Sequence, residues 1–474
     1  MERKWWRAGI ALLAVVGLVH CGVVPPEGEQ EDGLPQEEHA ASEEPLSASW
    51  RSGSSQGATR WFRHPRTPFD AESLAIVQDA DRNVIVSVSV GGTIEFEPGH
   101  PLGRGIPEER LIAVAKYAPD GRLLWARTFE VTPGSSPDFL HAFATALAVD
   151  REGHIVLAGS QTGTIDFGGG LLPSGAFLVK LDREGGHVWS RHFPSDVARP
   201  TFRAEKLLTD REGNIGLAAT VVATMDFGGG PLTLRGQPVF VRFSPEGGFL
   251  WAFVDDRTGF PRDAAVDSEG RFILAGGRED GPFVYKLDRD GTRLWERRPV
   301  GANASLAGVA AWGNRIVLTG VFAGCVRFDG RRLCTPSRND PNESDGLLLA
   351  YTADGEERWA RHFGRASGAI AVDPRGSVVV TGVYEDGDRI GSRRLRGEPG
   401  ANNVFVARFD KGDGDLRWIR TFPGPSEQFA PDDISVDSRG ESALLATFSA
   451  PVTLEGTTLV PEGGRDFFIL KLAP

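Results

Sequence analysis

Residues 146–159 begin Ala146-Leu147-Ala148-Val149-Asp150, turn at Gly153 and continue as Ile155-Val156-Leu157-Ala158-Gly159; residues 177–189 begin Phe177-Leu178-Val179-Lys180, turn at Gly185 and end on Trp189. Each half is a short apolar run, a glycine turn and a second run, the pattern of an antiparallel hairpin. Two hairpins in tandem make a four-stranded unit. Its markers are an Asp closing the first strand, a basic residue on the third and a Trp on the fourth.

Working outward, Trp recurs at 61, 125, 189, 251, 295, 359 and 418, and relatives of Asp150 stand at 79, 210, 267, 373 and 437. The copy at Trp312-Gly313-Asn314 has no Asp, and the strand Leu347 to Tyr351 has no basic residue. Four-stranded units at this spacing are propeller blades. The last unit, ending Phe467-Phe468-Ile469-Leu470-Lys471, has no Trp after it, whereas Arg60-Trp61-Phe62-Arg63 precedes the first unit without partners. The expected fold is therefore all-β, a seven-bladed β-propeller of four-stranded blades, with the N-terminal strand completing the last blade and leaving no open sheet edge.

Between the second and third strands most repeats carry an insert, clearest as Thr164-Ile165-Asp166-Phe167-Gly168 and Thr224-Met225-Asp226-Phe227-Gly228, which reads as an extra hairpin. The fourth repeat passes from Ala275-Gly276-Gly277 straight through Arg278-Glu279-Asp280-Gly281 to Phe283 and should have none. These motifs resemble the bacterial seven-bladed propeller repeats known as SBBP repeats, over roughly residues 58–474, with a wider resemblance to quinoprotein-like propellers. The resemblance implies a fold common in secreted or surface-attached bacterial proteins and carries no catalytic residues with it.

Ahead of the repeats, Arg3, Lys4 and Arg7 precede the apolar run Ala8 to Val19, the build of a secretory signal. Leu18-Val19-His20-Cys21 is similar to a bacterial lipobox, although His20 departs from its usual small residue; residues 1–20 are then a lipoprotein signal peptide and Cys21 the lipidated residue. Residues 21–57 read as an acidic tether: residues 22–50 contain eight Asp and Glu, four Pro and no Lys or Arg. The formal charge of -12 lies largely there, so no basic excess is left for nucleic acid. The expected setting is outer-membrane lipoprotein, periplasmic or surface-facing, the partners being the membrane through the anchor and a protein or glycan ligand, with the chain itself a monomer.

Cys325 and Cys334 flank Asp329-Gly330. If those two residues form a type I′ turn, the cysteines fall opposite each other at a non-hydrogen-bonded site, where a disulfide is expected in an exported protein.

Catalytic signatures are weak. Gly53-Ser54-Ser55-Gln56-Gly57 matches a nucleophile elbow but has no strand before it or helix after it. Nine His include no HExxH, and Asp410, Asp413 and Asp415 lack the spacing of a calcium loop. No metal, cofactor or catalytic residue is assigned. The chain reads as a non-catalytic interaction module; the alternatives are an enzyme with a one-off site at the channel mouth, or a periplasmic scaffold for outer-membrane assembly. Because inserts and blade crossings share one face and carry the least repetitive residues, Phe139, His141, Phe143, Phe202 and Arg203 are the candidate contacts. Three or more non-repeated titratable groups converging at one mouth would favour the enzyme.

Overall fold

A computed structural model describes residues 56–106, 110–132, 142–197, 201–299, 304–328, 330–335, 344–424 and 429–474. Every regular element among them is a β-strand. The repeat quoted above folds as Ala142–Val149, Ile155–Gln161, Gly175–Leu181 and His187–Phe193, paired antiparallel in chain order. The same order recurs in the sheets whose first strands are Ala71–Gln78, Thr201–Thr209, Phe260–Val266, Ala304–Trp312 and Ala366–Val372. A further sheet runs Ala430–Val436, Ser442–Phe448, Asp466–Leu472 and then Thr59–Arg63, with Trp61 opposite Lys471. First strands neighbour one another in chain order, and Ala430–Val436 neighbours Ala71–Gln78. This is a β-propeller.

The core lies between blades. One cluster joins Val156 and Leu178 of one repeat to Leu217 and Val241 of the next; another joins Phe467 and Ile469 to Val86 and Ala113. Sheets buried on both faces explain why second and third strands are almost unbroken apolar runs.

The repeated polar residues lock this stack. Where the first strand is followed by the repeated Asp, that Asp pairs with the basic residue of the third strand: Lys116–Asp79 and Lys180–Asp150 at 2.9 Å, Lys286–Asp267 at 3.0 Å and Lys471–Asp437 at 2.9 Å. Five of the repeated Trp indoles, at 61, 125, 189, 251 and 295, donate into the following blade, Trp125 to the Arg183 carbonyl at 3.0 Å and Trp189 to that of Pro245 at 3.0 Å. The Arg two residues after Trp makes a similar bridge. Arg63 Nε donates to the Gly121 carbonyl and Arg297 Nε to that of Gly355, both at 2.8 Å, whereas Arg361 and Arg420 pair with Asp415 and Glu455.

Glycine is required at these turns. Gly121 has φ +85°, and a Cβ there would stand 2.7 Å from the Trp61 ring. Gly57, at φ +69°, takes the same place against Trp418, and its N–H donates to the Ala473 carbonyl. Gly57, which sequence composition groups with the tether, thus packs on the propeller; residues 1–55, including Cys21, lie outside the described residues.

Hairpins fold out from the repeats as expected. Thr164–Asp166 extends the preceding blade by pairing with its outer strand, and Phe167 packs 4.9 Å from Phe129. In the fourth repeat Phe272–Arg278 turns directly into Gly281–Leu287. There the Arg278 guanidinium is paired with Asp255 and Glu296 and lies 4.5 Å over the Phe283 ring. Cys325 and Cys334 are directly opposed and form a disulfide, with Cα atoms 4.1 Å apart. Asp329 of their turn lies outside the described residues.

Candidate site in the central channel

Every first strand carries a β-bulge at an equivalent position, between Ala144 and Ala146, Ala204 and Lys206, Pro261 and Asp263, Leu306 and Gly308, Pro431 and Asp433, and likewise in the strands Ala71–Gln78 and Ala366–Val372. A bulge breaks the two-residue alternation and turns adjacent residues toward the same region. Residues at these bulges line a cavity of about 350 Å³.

Counted back from the repeated Asp, the bulge places residues five and four before it. Four repeats supply Leu74-Ala75, Thr145-Ala146, Ala307-Gly308 and Gly368-Ala369, but three supply Glu205-Lys206, Arg262-Asp263 and Asp432-Asp433. All six charged residues line the cavity, as does Arg203. Architecture common to all blades does not need them.

Their interactions divide them. Glu205 receives Arg203 Nε at 3.0 Å and the Thr220 hydroxyl at 3.2 Å. Asp263 is more heavily committed: its Oδ1 accepts the Ala264 N–H and lies 3.4 Å from Lys206 Nζ, while Oδ2 accepts the Val309 N–H of the next blade at 2.8 Å. Asp433 repeats that latch, accepting its neighbour Ile434 and the Ile76 N–H across the blade boundary at 3.0 Å, but no cation stands within ion-pair distance among the described residues. Arg262 is exposed and has neither an ion pair nor a hydrogen bond among them.

Burial pushes the Asp433 carboxyl up, with the Lys206 charge opposing the shift, and burial likewise raises Glu205 against the nearby Arg203 and Arg262. The Asp263 carboxylate holds the Lys206 ammonium above its ordinary value. These groups are ringed by protein yet meet water in the lumen, which explains a Lys206 side chain still one-third exposed.

The predicted contacts fare unevenly. Arg203 lines the cavity. Phe202 does not: on Thr201–Thr209 the alternation before the bulge points it between blades, where it is 7% exposed among Phe193, Met225 and Phe227. It is packing, not a contact surface. Phe143 is half-buried on Ala142–Val149, and Phe139 and His141 lie outside the described residues. Among the described residues, no group of His, Cys, Asp and Glu is arranged to hold a metal ion, and no helix is long and apolar enough to cross a membrane.

No protein-family model and no curated protein matches the chain. Solved structures similar to it include a streptogramin B lyase, 12% identical with TM-score 0.45, over 87% of this chain and 98% of that one. The Neurospora crassa Pan2 WD40 domain is 12% identical with TM-score 0.45, covering 85% and 90%, and a chain of the mitotic checkpoint complex 9% identical with TM-score 0.47, covering 90% and 98%. The SBBP resemblance rests on the quoted motifs alone.

Proposed function

We propose that this chain is an exported, lipid-anchored, monomeric interaction module, a closed ring of seven blades that takes a protein or glycan ligand at the channel mouth on the side of the inserts. The single observation carrying this reading is the charged set Glu205, Lys206, Arg262, Asp263, Asp432 and Asp433, confined to three repeats at positions where the others carry small or neutral residues. Specific recognition needs groups that are not repeated. Closure of the ring draws support from the pairing of Trp61 with Lys471 and from Gly57 standing where the other turns place a glycine.

The anchor at Cys21 and an outer-membrane location, periplasmic or surface-facing, rest on the lipobox and the acidic tether. Intact mass would register a diacylglyceryl group on Cys21, and a Cys21→Ala chain should fractionate as soluble. For the site, the full chain is used to capture ligand from an extract of the producing cells, beside a variant carrying Arg262→Gln, Asp432→Asn and Asp433→Asn. Loss of capture by the variant is expected; equal recovery overturns the assignment.

One observation favours a second reading. Three or more non-repeated titratable groups do converge at one mouth, and Glu205, with its carboxyl pushed up by burial, is chemically suited to hold and deliver a proton. If the module is an enzyme, Glu205→Gln should abolish conversion of whatever ligand the variant still captures. Ligand recovered unchanged from the parent chain excludes it.

A further inference from the structure

The channel cavity is polar across its width and not merely charged. In ring order the strands Thr201–Thr209 and Phe260–Val266 are neighbours, and Ala430–Val436 lies three places from either. One side therefore presents Arg203, Lys206 and Arg262, partly neutralised by Glu205 and Asp263; the strand facing it lines the cavity with Pro431, Asp432 and Asp433. The groups left with unused capacity are on opposite sides. Among the described residues Arg262 makes no hydrogen bond or ion pair, its charge acting on the nearby Glu205, and Asp433 accepts two backbone N–H groups while the Lys206 charge acts on it from farther off.

The walls between carry Ala75, Ala146, Ala307, Ala369 and Ile370, small apolar surfaces that leave room for an apolar body. A cavity of about 350 Å³ falls at the small end of ligand sites, large enough for a single residue-sized molecule.

The geometry points to a small zwitterion as the ligand class, the aliphatic α-amino acid being the simplest member, with its carboxylate on Arg262, its ammonium on Asp433 and its side chain against the alanine wall. A guanidinium binds carboxylate in a bidentate fork, and a desolvated carboxylate is a strong acceptor for an ammonium group. A cation alone would leave Arg262 without a counter-ion, and an anion alone would face Asp433. Only a ligand with both charges satisfies both walls. The inference rests on the channel being the binding site and, where that reading places a protein or glycan at the mouth, assigns a small molecule to the cavity itself.

The test is calorimetric titration of the full chain with L-leucine, N-acetyl-L-leucine and L-leucinamide, repeated with Arg262→Gln and Asp433→Asn. Saturable binding of L-leucine is expected, weakened at least about tenfold by either blocking group and by either substitution. Equal binding of L-leucinamide or of N-acetyl-L-leucine would overturn the zwitterion while leaving a channel site in place, as would absence of L-leucine binding by a parent chain that still loses captured ligand on these substitutions. Capture and titration both indifferent to the substitutions would remove the channel site itself. Both variants are neutral near-isosteres, and their thermal unfolding, measured alongside, separates lost binding from lost structure.

Discussion

Lys206 Nζ lies 3.4 Å from Asp263 Oδ1, and the other oxygen of that carboxylate accepts the Val309 N–H, so one side chain ties together three consecutive blades at the lumen. Removing the carboxylate leaves Lys206 short of its nearest counter-charge and a backbone N–H unpaired. Asp263→Ala should cost about 3 kcal/mol, and Asp263→Asn, which keeps an acceptor, clearly less. Chemical denaturation of both variants checks this; equal losses would show that the latch is of no consequence.

The carboxylates of the chain should respond to pH in opposite senses. Burial works against Asp150, but hydrogen bonds from Lys180 and the turn around His154 outweigh it and hold the carboxyl below its ordinary value. Its stabilising contribution is present above the unfolded pKa and is lost as pH falls through the folded one. Asp433 is raised, so the fold is favoured while it is protonated, and that contribution is lost as pH rises from the ordinary carboxylate value through the folded one. At pH 7, Asp150→Asn should lower stability by about 3 kcal/mol, whereas Asp433→Asn should unfold no earlier than the parent. Thermal melts from pH 3 to 7 should show the first deficit shrinking toward acid and the second variant gaining on the parent toward neutrality.

Truncation addresses closure of the ring. Removal of residues 1–55 should leave the melting temperature nearly unchanged. Removal of residues 1–66 takes away the strand Thr59–Arg63 and bares the edge of Asp466–Leu472, which should cause aggregation or a large loss of stability. Two truncations of equal stability would count against the pairing.

The disulfide closes a short loop, Cys325 and Cys334 being separated by 9 residues. Chain entropy alone gives it about 2.5 kcal/mol. Cys325→Ser should lose that amount in oxidising buffer and nothing further on reduction. A parent chain whose stability is indifferent to reductant would contradict it.

The Trp bridges should be unequal. The Trp189 indole donates to the Pro245 carbonyl, but the buried Trp359 N–H has no partner among the described residues. The reason is local: the turn after Phe409 is one residue longer than its counterparts, and its Lys411 carbonyl accepts Arg315 instead. Trp189→Phe should therefore cost about 1 kcal/mol more than Trp359→Phe. A reversed order in denaturant midpoints would refute the account.

Trp61, Asp150 and Lys180 were legible as repeat markers because a position used in every blade leaves a periodic trace in the chain. Hairpin register was equally legible, since side chains alternate and two cysteines equidistant from a turn must face each other. Tertiary structure alone decided which side chains meet in the channel. Phe202 is hidden by a strand alternation that only the register reveals, and Arg203, one residue on, reaches the cavity. Glu205, Lys206, Arg262, Asp263 and Asp433 carried a signal, a fixed count back from the repeated Asp, but their chemistry emerges only across blades. Lys206 and Asp263 are separated by a whole repeat, and Asp433 by three more; the propeller brings them to one cavity because blades pack by their apolar faces, independently of what the inner edges carry.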